Sequence, residues 1–267
     1  DRAYNNEYVK GGEIGLKSRL LDRRLAVDLA AYDYRYSGLQ VTVLTPGAGN
    51  LPVTKTLNAG AARTYGLELN SAYNPPTLED LTLKLTLNWN RAHFQKFDDV
   101  QCIGGQTIAQ GCNELLSPVT HLYTAQNLSG LPLLDAPEWS GSFGFDYERP
   151  VGGDMSLAIT NNNHFSSSFL TALGTRSDFY QGSFIKADLG VALKGPNDRW
   201  EISLSGQDLN NALTRSTCAN SNAAGGLIFG GEVTGGTTSG PAGVDELVCY
   251  IEPGRAVWLT VTFKPFN

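Results

Sequence analysis

Three phenols at alternate positions, Tyr32, Tyr34 and Tyr36, form the densest chemistry-bearing group in the chain. In an extended strand, residues two apart share a face, so these rings would line one wall with hydroxyl-tipped aromatics. Arg91, His93 and Gln95 recur in the same way farther along, and His164, Phe165 and Arg176 surround a later loop. Aromatic rings with a few cationic groups can hold an anionic chelate or stack on a sugar. The structural alternative is that all of these are strand extensions packing on one another or on a neighbouring domain.

Catalysis has little support. His93, His121 and His164 sit on separate elements with no second histidine at ligand spacing, so neither a metal motif nor a base–nucleophile pair is indicated. No catalytic residue, metal or cofactor is therefore expected. The serines at 166–168 beside His164 read as a polar loop. Glycine pairs at 104–105, 225–226, 230–231 and 235–236 follow no strand-to-helix pattern, so they do not read as phosphate loops.

The elements that must carry these residues alternate with period two. From Leu81 to Asn90 the chain is strict: Leu81, Leu83, Leu85, Leu87 and Trp89 share one face, and Thr82, Lys84, Thr86, Asn88 and Asn90 share the other. Ile185, Ala187, Leu189, Val191 and Leu193 oppose Lys186 and Asp188, and Val257, Leu259, Val261 and Phe263 oppose Ala256, Trp258, Thr260 and Thr262. Nine strands emerge, near residues 7–20, 24–44, 60–73, 80–97, 138–149, 154–168, 182–194, 199–210 and 251–264.

Their connections sort by length. Leu21–Arg23, Asn74–Glu79, Pro150–Gly153 and Gly195–Asp198 are tight and rich in turn formers, whereas 45–59, 98–137, 169–181 and 211–250 are long. Tight turns on one side and long loops on the other, joined by strands with one apolar and one polar face, mark an all-β, antiparallel transmembrane β-barrel segment. If the C-terminus lies in the periplasm, the tight turns are periplasmic and the long loops extracellular. Trp89, Trp139, Tyr147, Trp200 and Trp258 lie near strand ends, where barrels place interfacial girdles, although aromatics favour any sheet. Alternation turns Trp258 inward.

Composition agrees. The 267 residues show no linker, and no run approaches the ~18 apolar residues that a spanning helix requires. A net charge of −6 without a Lys/Arg cluster argues against a nucleic-acid partner. The four cysteines suit an oxidising compartment if they pair, since Cys102 with Cys112 and Cys218 with Cys249 each fall within one long loop. Four free buried thiols are the alternative. Asp1 opens a polar stretch that is not a signal peptide.

Several stretches resemble the C-terminal barrel of the TonB-dependent outer-membrane receptors. They run from Gly12-Glu13-Ile14-Gly15-Leu16 through Asp28-Leu29-Ala30-Ala31-Tyr32-Asp33-Tyr34-Arg35-Tyr36, then Asn58-Ala59-Gly60-Ala61-Ala62-Arg63-Thr64-Tyr65-Gly66-Leu67-Glu68-Leu69. Asp208-Leu209-Asn210-Asn211 and Pro253-Gly254-Arg255-Ala256-Val257-Trp258-Leu259 follow, with terminal Phe263 and Phe266. One departure is that Asn267 follows Phe266, where such barrels commonly end on an aromatic.

The resemblance implies a barrel of twenty-two strands around an N-terminal plug, so residues 1–267 are expected to form about strands fourteen to twenty-two, with the plug outside this chain. It also implies outer-membrane lipid, the plug and, through the plug, TonB as partners. The implied substrate is a scarce small molecule or oligosaccharide: a ferric siderophore, haem, cobalamin or a sugar chain. A passive porin or an adhesive surface barrel is the rival within the membrane. A soluble lectin-like sandwich is the rival outside it, and would shelter the Leu81–Trp89 face beneath a second sheet.

Overall fold

The structure is a computed structural model that describes residues 5–46, 52–58, 60–102, 108–116, 118, 121, 123–220 and 247–264. The glycine pairs noted above and the terminal Phe266–Asn267 lie outside these residues. Nine strands form one antiparallel sheet: β1 (Tyr8–Leu20), β2 (Leu25–Ser37), β3 (Ala61–Tyr73), β4 (Leu81–Lys96), β5 (Trp139–Gly152), β6 (Met155–Ser166), β7 (Phe184–Lys194), β8 (Trp200–Gln207) and β9 (Ala256–Phe263). Each pairs with its neighbour in sequence, so the sheet is a simple meander.

The register carries the alternation across the sheet. Leu85 stands between Ser71 and Phe143, Leu87 between Leu69 and Gly141, and Trp89 between Leu67 and Trp139. Residues directly opposite one another share a face, so these rows form a continuous apolar surface. It is uncovered: Leu85 is 40% and Leu259 71% exposed. A soluble sheet buries that face, and an open apolar surface of this extent needs lipid or protein against it. The opposite face holds Thr82, Lys84 and Thr86, with Lys84 in an ion pair to Asp146 and Lys194 to Glu148 at 2.7 Å.

Packed core exists instead in the long connections and at the strand ends that enter them. Ala62, Phe94, Phe97, Val100 and Leu128 form one buried cluster, and Leu170, Ala172, Phe179 and Cys218 another. Small antiparallel pairings lie in these connections: Gln40–Pro46 with Pro52–Asn58, Tyr123–Gln126 with both Val100–Gln101 and Glu114–Leu116, Phe169–Leu170 with Tyr180–Gln181, and Arg215–Asn220 with Leu247–Ile251.

Three expected strands are shorter than their segments. The segment 24–44 breaks at Gly38, whose φ of +65° leaves the extended region, and restarts as a loop arm at Gln40. Asn58 locks this break by donating from Nδ2 to the Gly38 carbonyl at 2.6 Å. The segment 251–264 splits because Pro253 and Gly254 separate the loop strand from β9. The segment 199–210 stops at Gln207, since Asp208 at φ 45° and Asn211 at φ 53° form a turn. Within that turn Asn210 accepts from the Ala187 amide and donates to the Ile185 carbonyl, which closes the edge of β7 beyond its pairing with β8. The third tight turn also shifts: β5 continues through a bulge at Pro150–Gly152, and Gly153 and Asp154, both at positive φ, make the reversal.

Candidate functional site

The tyrosine group lies on the polar face at the long-connection end of β2. Tyr32 pairs across β3 with Gly66, and its hydroxyl donates to Asn90 Oδ1 at 3.0 Å. The same oxygen accepts from Thr64 Oγ1 at 2.9 Å, so one amide orients both hydroxyls. Tyr34 lies beside Tyr32 with ring centroids 6.1 Å apart and an interplanar angle of 28°.

Glycine makes room for both rings. A Cβ on Gly66 would stand 2.6 Å from the Tyr32 hydroxyl and collide with the Trp89 carbonyl oxygen, and one on Gly11 would stand 2.6 Å from the Tyr34 ring. Gly66→Val is therefore expected to destabilise the sheet by about 1–3 kcal/mol and to expel Tyr32 from Asn90. Urea unfolding of the full receptor in bilayers, against Gly12→Val, where a Cβ meets nothing within 4 Å, checks it.

Tyr36 has a different environment. It packs on the buried cluster of Ala62, Phe94 and Phe97, so its ring helps hold the loops above the wall. His164 returns to the polar face on β6, between Ser142 and Lys186, with Nε2 2.9 Å from Asn162 Nδ2. Lys186 in turn is bound to Glu252 at 2.7 Å, and Glu252 also accepts from Thr214 Oγ1 at 2.8 Å.

Other expected site residues do not join them. Arg91 and His93 lie on the apolar side of β4, opposite Tyr65 and Arg63, because they continue the parity of Leu87 and Trp89. Phe165 is on that side too, opposite Gly141 and Ile185. Gln95 lies at the bulge where Ala61 and Ala62 face Lys96 and Phe94, and it is exposed. Arg176, 8% exposed, is held within its own loop by Asp178 and stacks 4.9 Å over Phe179. Asn90, which orients Tyr32, stands on the polar face that alternation already assigned to it.

Cys102–Cys112 and Cys218–Cys249 are disulfides, each closing part of one long connection. Near the second, Glu252 is held below its ordinary pKa, first by the hydrogen bond from Lys186 and then by that from Thr214. A depressed carboxylate stabilises the fold fully above its unfolded value of 4.5, and the contribution fades as pH falls through the lower folded value. Acidification below about pH 4.5 is thus expected to loosen the loop-to-wall contact, and Glu252→Gln to flatten that acid dependence. Proteolysis of the surface loops across pH measures it.

An open meander with one uncovered apolar face, one polar face and connection lengths sorted by side defines a transmembrane β-barrel wall. Residues 2–211 match the TonB dependent receptor-like β-barrel family, and the chain belongs to it. It is accordingly a bacterial outer-membrane protein, with short turns in the periplasm, long loops outside, the apolar face in lipid and the polar face toward the lumen. The fold is shared with the ferric yersiniabactin uptake receptor FyuA from Yersinia pestis, at 13% identity and TM-score 0.57 over 96% of this chain and 29% of that one. The siderophore receptor PiuA from Acinetobacter baumannii matches at 12% identity and TM-score 0.58 over 96% of this chain and 28% of that one. BauA, the ferric preacinetobactin receptor of the same species, matches at 15% identity and TM-score 0.54 over 96% and 29%. The chain thus spans less than a third of these receptors. No curated protein matches it significantly.

Proposed function

We propose that this chain supplies lumen wall and outer binding loops to an active uptake receptor whose substrate is a ferric siderophore. Within the wider substrate class of haem, cobalamin and oligosaccharides, the siderophore reading draws on the names of the structural neighbours. The observation that carries it is the Tyr32–Tyr34 pair, two rings presented to the lumen beneath the outer loops and held by Asn90. Such rings offer flat apolar surface and hydroxyl donors to a chelate descending from the loops. His164 and the Lys186–Glu252 pair add polar and charged groups on the same face.

A barrel wide enough for such a chelate passes smaller solutes unselectively if left open. A plug domain outside this chain would close the lumen, and TonB, acting on that plug, would supply the energy for release. The wall then acts as a track: it binds weakly at several places and leaves the gating to the plug.

The test is uptake of an iron-55-labelled siderophore by cells that express the full receptor. Tyr32→Ala with Tyr34→Ala is expected to weaken surface binding about tenfold or more, with uptake falling in step and abolished by collapse of the proton-motive force. Unaffected binding by the double variant would remove the tyrosines from the site. Energy-independent flux of small sugars through the reconstituted receptor would make it a porin.

A further inference from the structure

The lipid-facing side of the sheet carries a charge pattern that uptake does not use. Lys10, Arg35, Arg63 and His93 stand directly opposite one another on β1, β2, β3 and β4, one residue from each strand in a single hydrogen-bonded row. Like charges facing one another across strands repel. One row nearer the membrane centre, Arg91 adds another cation and Asp33 the first anion.

Compensation is partial. Asp33 binds Arg63 at 2.6 Å and Glu138 binds Arg91 at 3.0 Å. Among the described residues, no carboxylate forms an ion pair with Lys10 or Arg35, and both are exposed. Among the described residues, four permanent cations against two carboxylates leave a surplus of two positive charges on one small patch of wall.

The height of the patch identifies its counter-charge. Trp89 and Trp139 lie 6.4 Å apart on the apolar face, and Tyr65 meets Trp89 edge-on at 6.0 Å, which places the interfacial aromatic belt there. Arg91 and His93 follow Trp89 by two and four residues, about 7 and 13 Å along the strand. With barrel strands tilted by about 40°, that is ~5 and ~10 Å above the belt, at the depth of headgroups. The Arg63 guanidinium carbon sits over the Tyr65 ring, 4.6 Å from its centroid, and so links the cations to the belt.

We propose that this row is a binding site for the phosphate groups of the phosphorylated glycolipid in the surrounding outer leaflet. Guanidinium forks match phosphate oxygens bidentately; Asp33 already engages the fork of Arg63, and the repulsion between Lys10 and Arg35 is relieved when an anion occupies the row. The ligand approaches from the membrane side, so the site is independent of the lumen and of whichever solute passes through it.

The full receptor, purified in neutral detergent, tests this in two ways. Mass spectrometry of retained lipid is expected to show at least a tenfold loss of phosphorylated glycolipid in Lys10→Gln with Arg35→Gln. Lys17→Gln with Arg19→Gln, two charges removed from the lumen face, should retain it. In the delipidated wild type, diphosphoryl lipid A should raise the unfolding temperature by several degrees, and the dephosphorylated lipid or inorganic phosphate should not. Equal retention in the two variants overturns the site, as does equal stabilisation by dephosphorylated lipid. Equal stabilisation by inorganic phosphate would assign it to the free ion instead. The add-back arm stands even if the variant barrel does not assemble.

Discussion

Leu85→Arg should destabilise the membrane-inserted barrel by about 2–4 kcal/mol, the range for a cation on the lipid face near the bilayer midplane. Leu85 shares its row with Ser71 and Phe143, and is four residues from the belt at Trp89, about 13 Å along the strand. An arginine there has no carboxylate across the row. The belt is also beyond the reach of its side chain, about 7 Å long, so the charge stays in hydrocarbon or drags water in with it. Thr86→Arg on the next residue faces the lumen between Asn70 and Ser142 and should be close to neutral. Urea titration of the full receptor refolded into bilayers, with heat-modified gel mobility as the assay of the folded barrel, separates the two. Equal costs at 85 and 86 would mean that the sheet does not divide lipid from water here.

The same parity explains what could and could not be read from the sequence. Nine strands, their order and their faces were legible because a two-residue period survives across a sheet whose every strand pairs with its neighbour. Each cysteine pair falls within one long connection, which offered the pairing beside the alternative of free thiols, and both bonds form. Chemistry lists Arg91 and His93 with the tyrosines as candidate binding groups, whereas their odd numbering joins them to Leu87 and Trp89 on the other face. Phe165 parts from His164 in the same way, because adjacent residues on one strand point to opposite faces.

Loop structure was harder to foresee. Tyr36 and Arg176 look like ligand-binding groups in sequence, yet one packs on Phe94 and its cluster and the other is buried against Asp178 and Phe179. Long loops can form small cores of their own, and nothing periodic announces which polar or aromatic side chains those cores will consume. Strand ends failed for a related reason. Gly38, Asp208 and Asn211 leave the extended region through positive φ, which a hydrophobic pattern does not register.

Replacing Cys218 and Cys249 together by serine should cost the outer loop unit about 3–4 kcal/mol while leaving the barrel wall intact. The bond spans 31 residues, so its loss frees a long segment in the unfolded loop, and the entropy model puts the penalty for that span in this range. Cys218 also belongs to the cluster of Leu170, Ala172 and Phe179, and its amide donates to the Thr171 carbonyl at 2.9 Å, so the bond holds the fourth long connection against the third. Arg215 extends that junction by donating to the carbonyls of Asp178 and Tyr180. Cys102–Cys112 closes only 10 residues and packs with Ile108 and Tyr123 inside its own connection, so its removal should be felt less widely. Limited proteolysis separates these outcomes. The Cys218/Cys249 variant should be cut rapidly in the third and fourth connections, yet keep its heat-modified gel mobility, because the wall strands are held by cross-strand bonds that neither disulfide touches. Loss of that mobility would mean that the loop core and the wall fold as one cooperative unit, with the outer loops contributing to barrel stability as well as to capture.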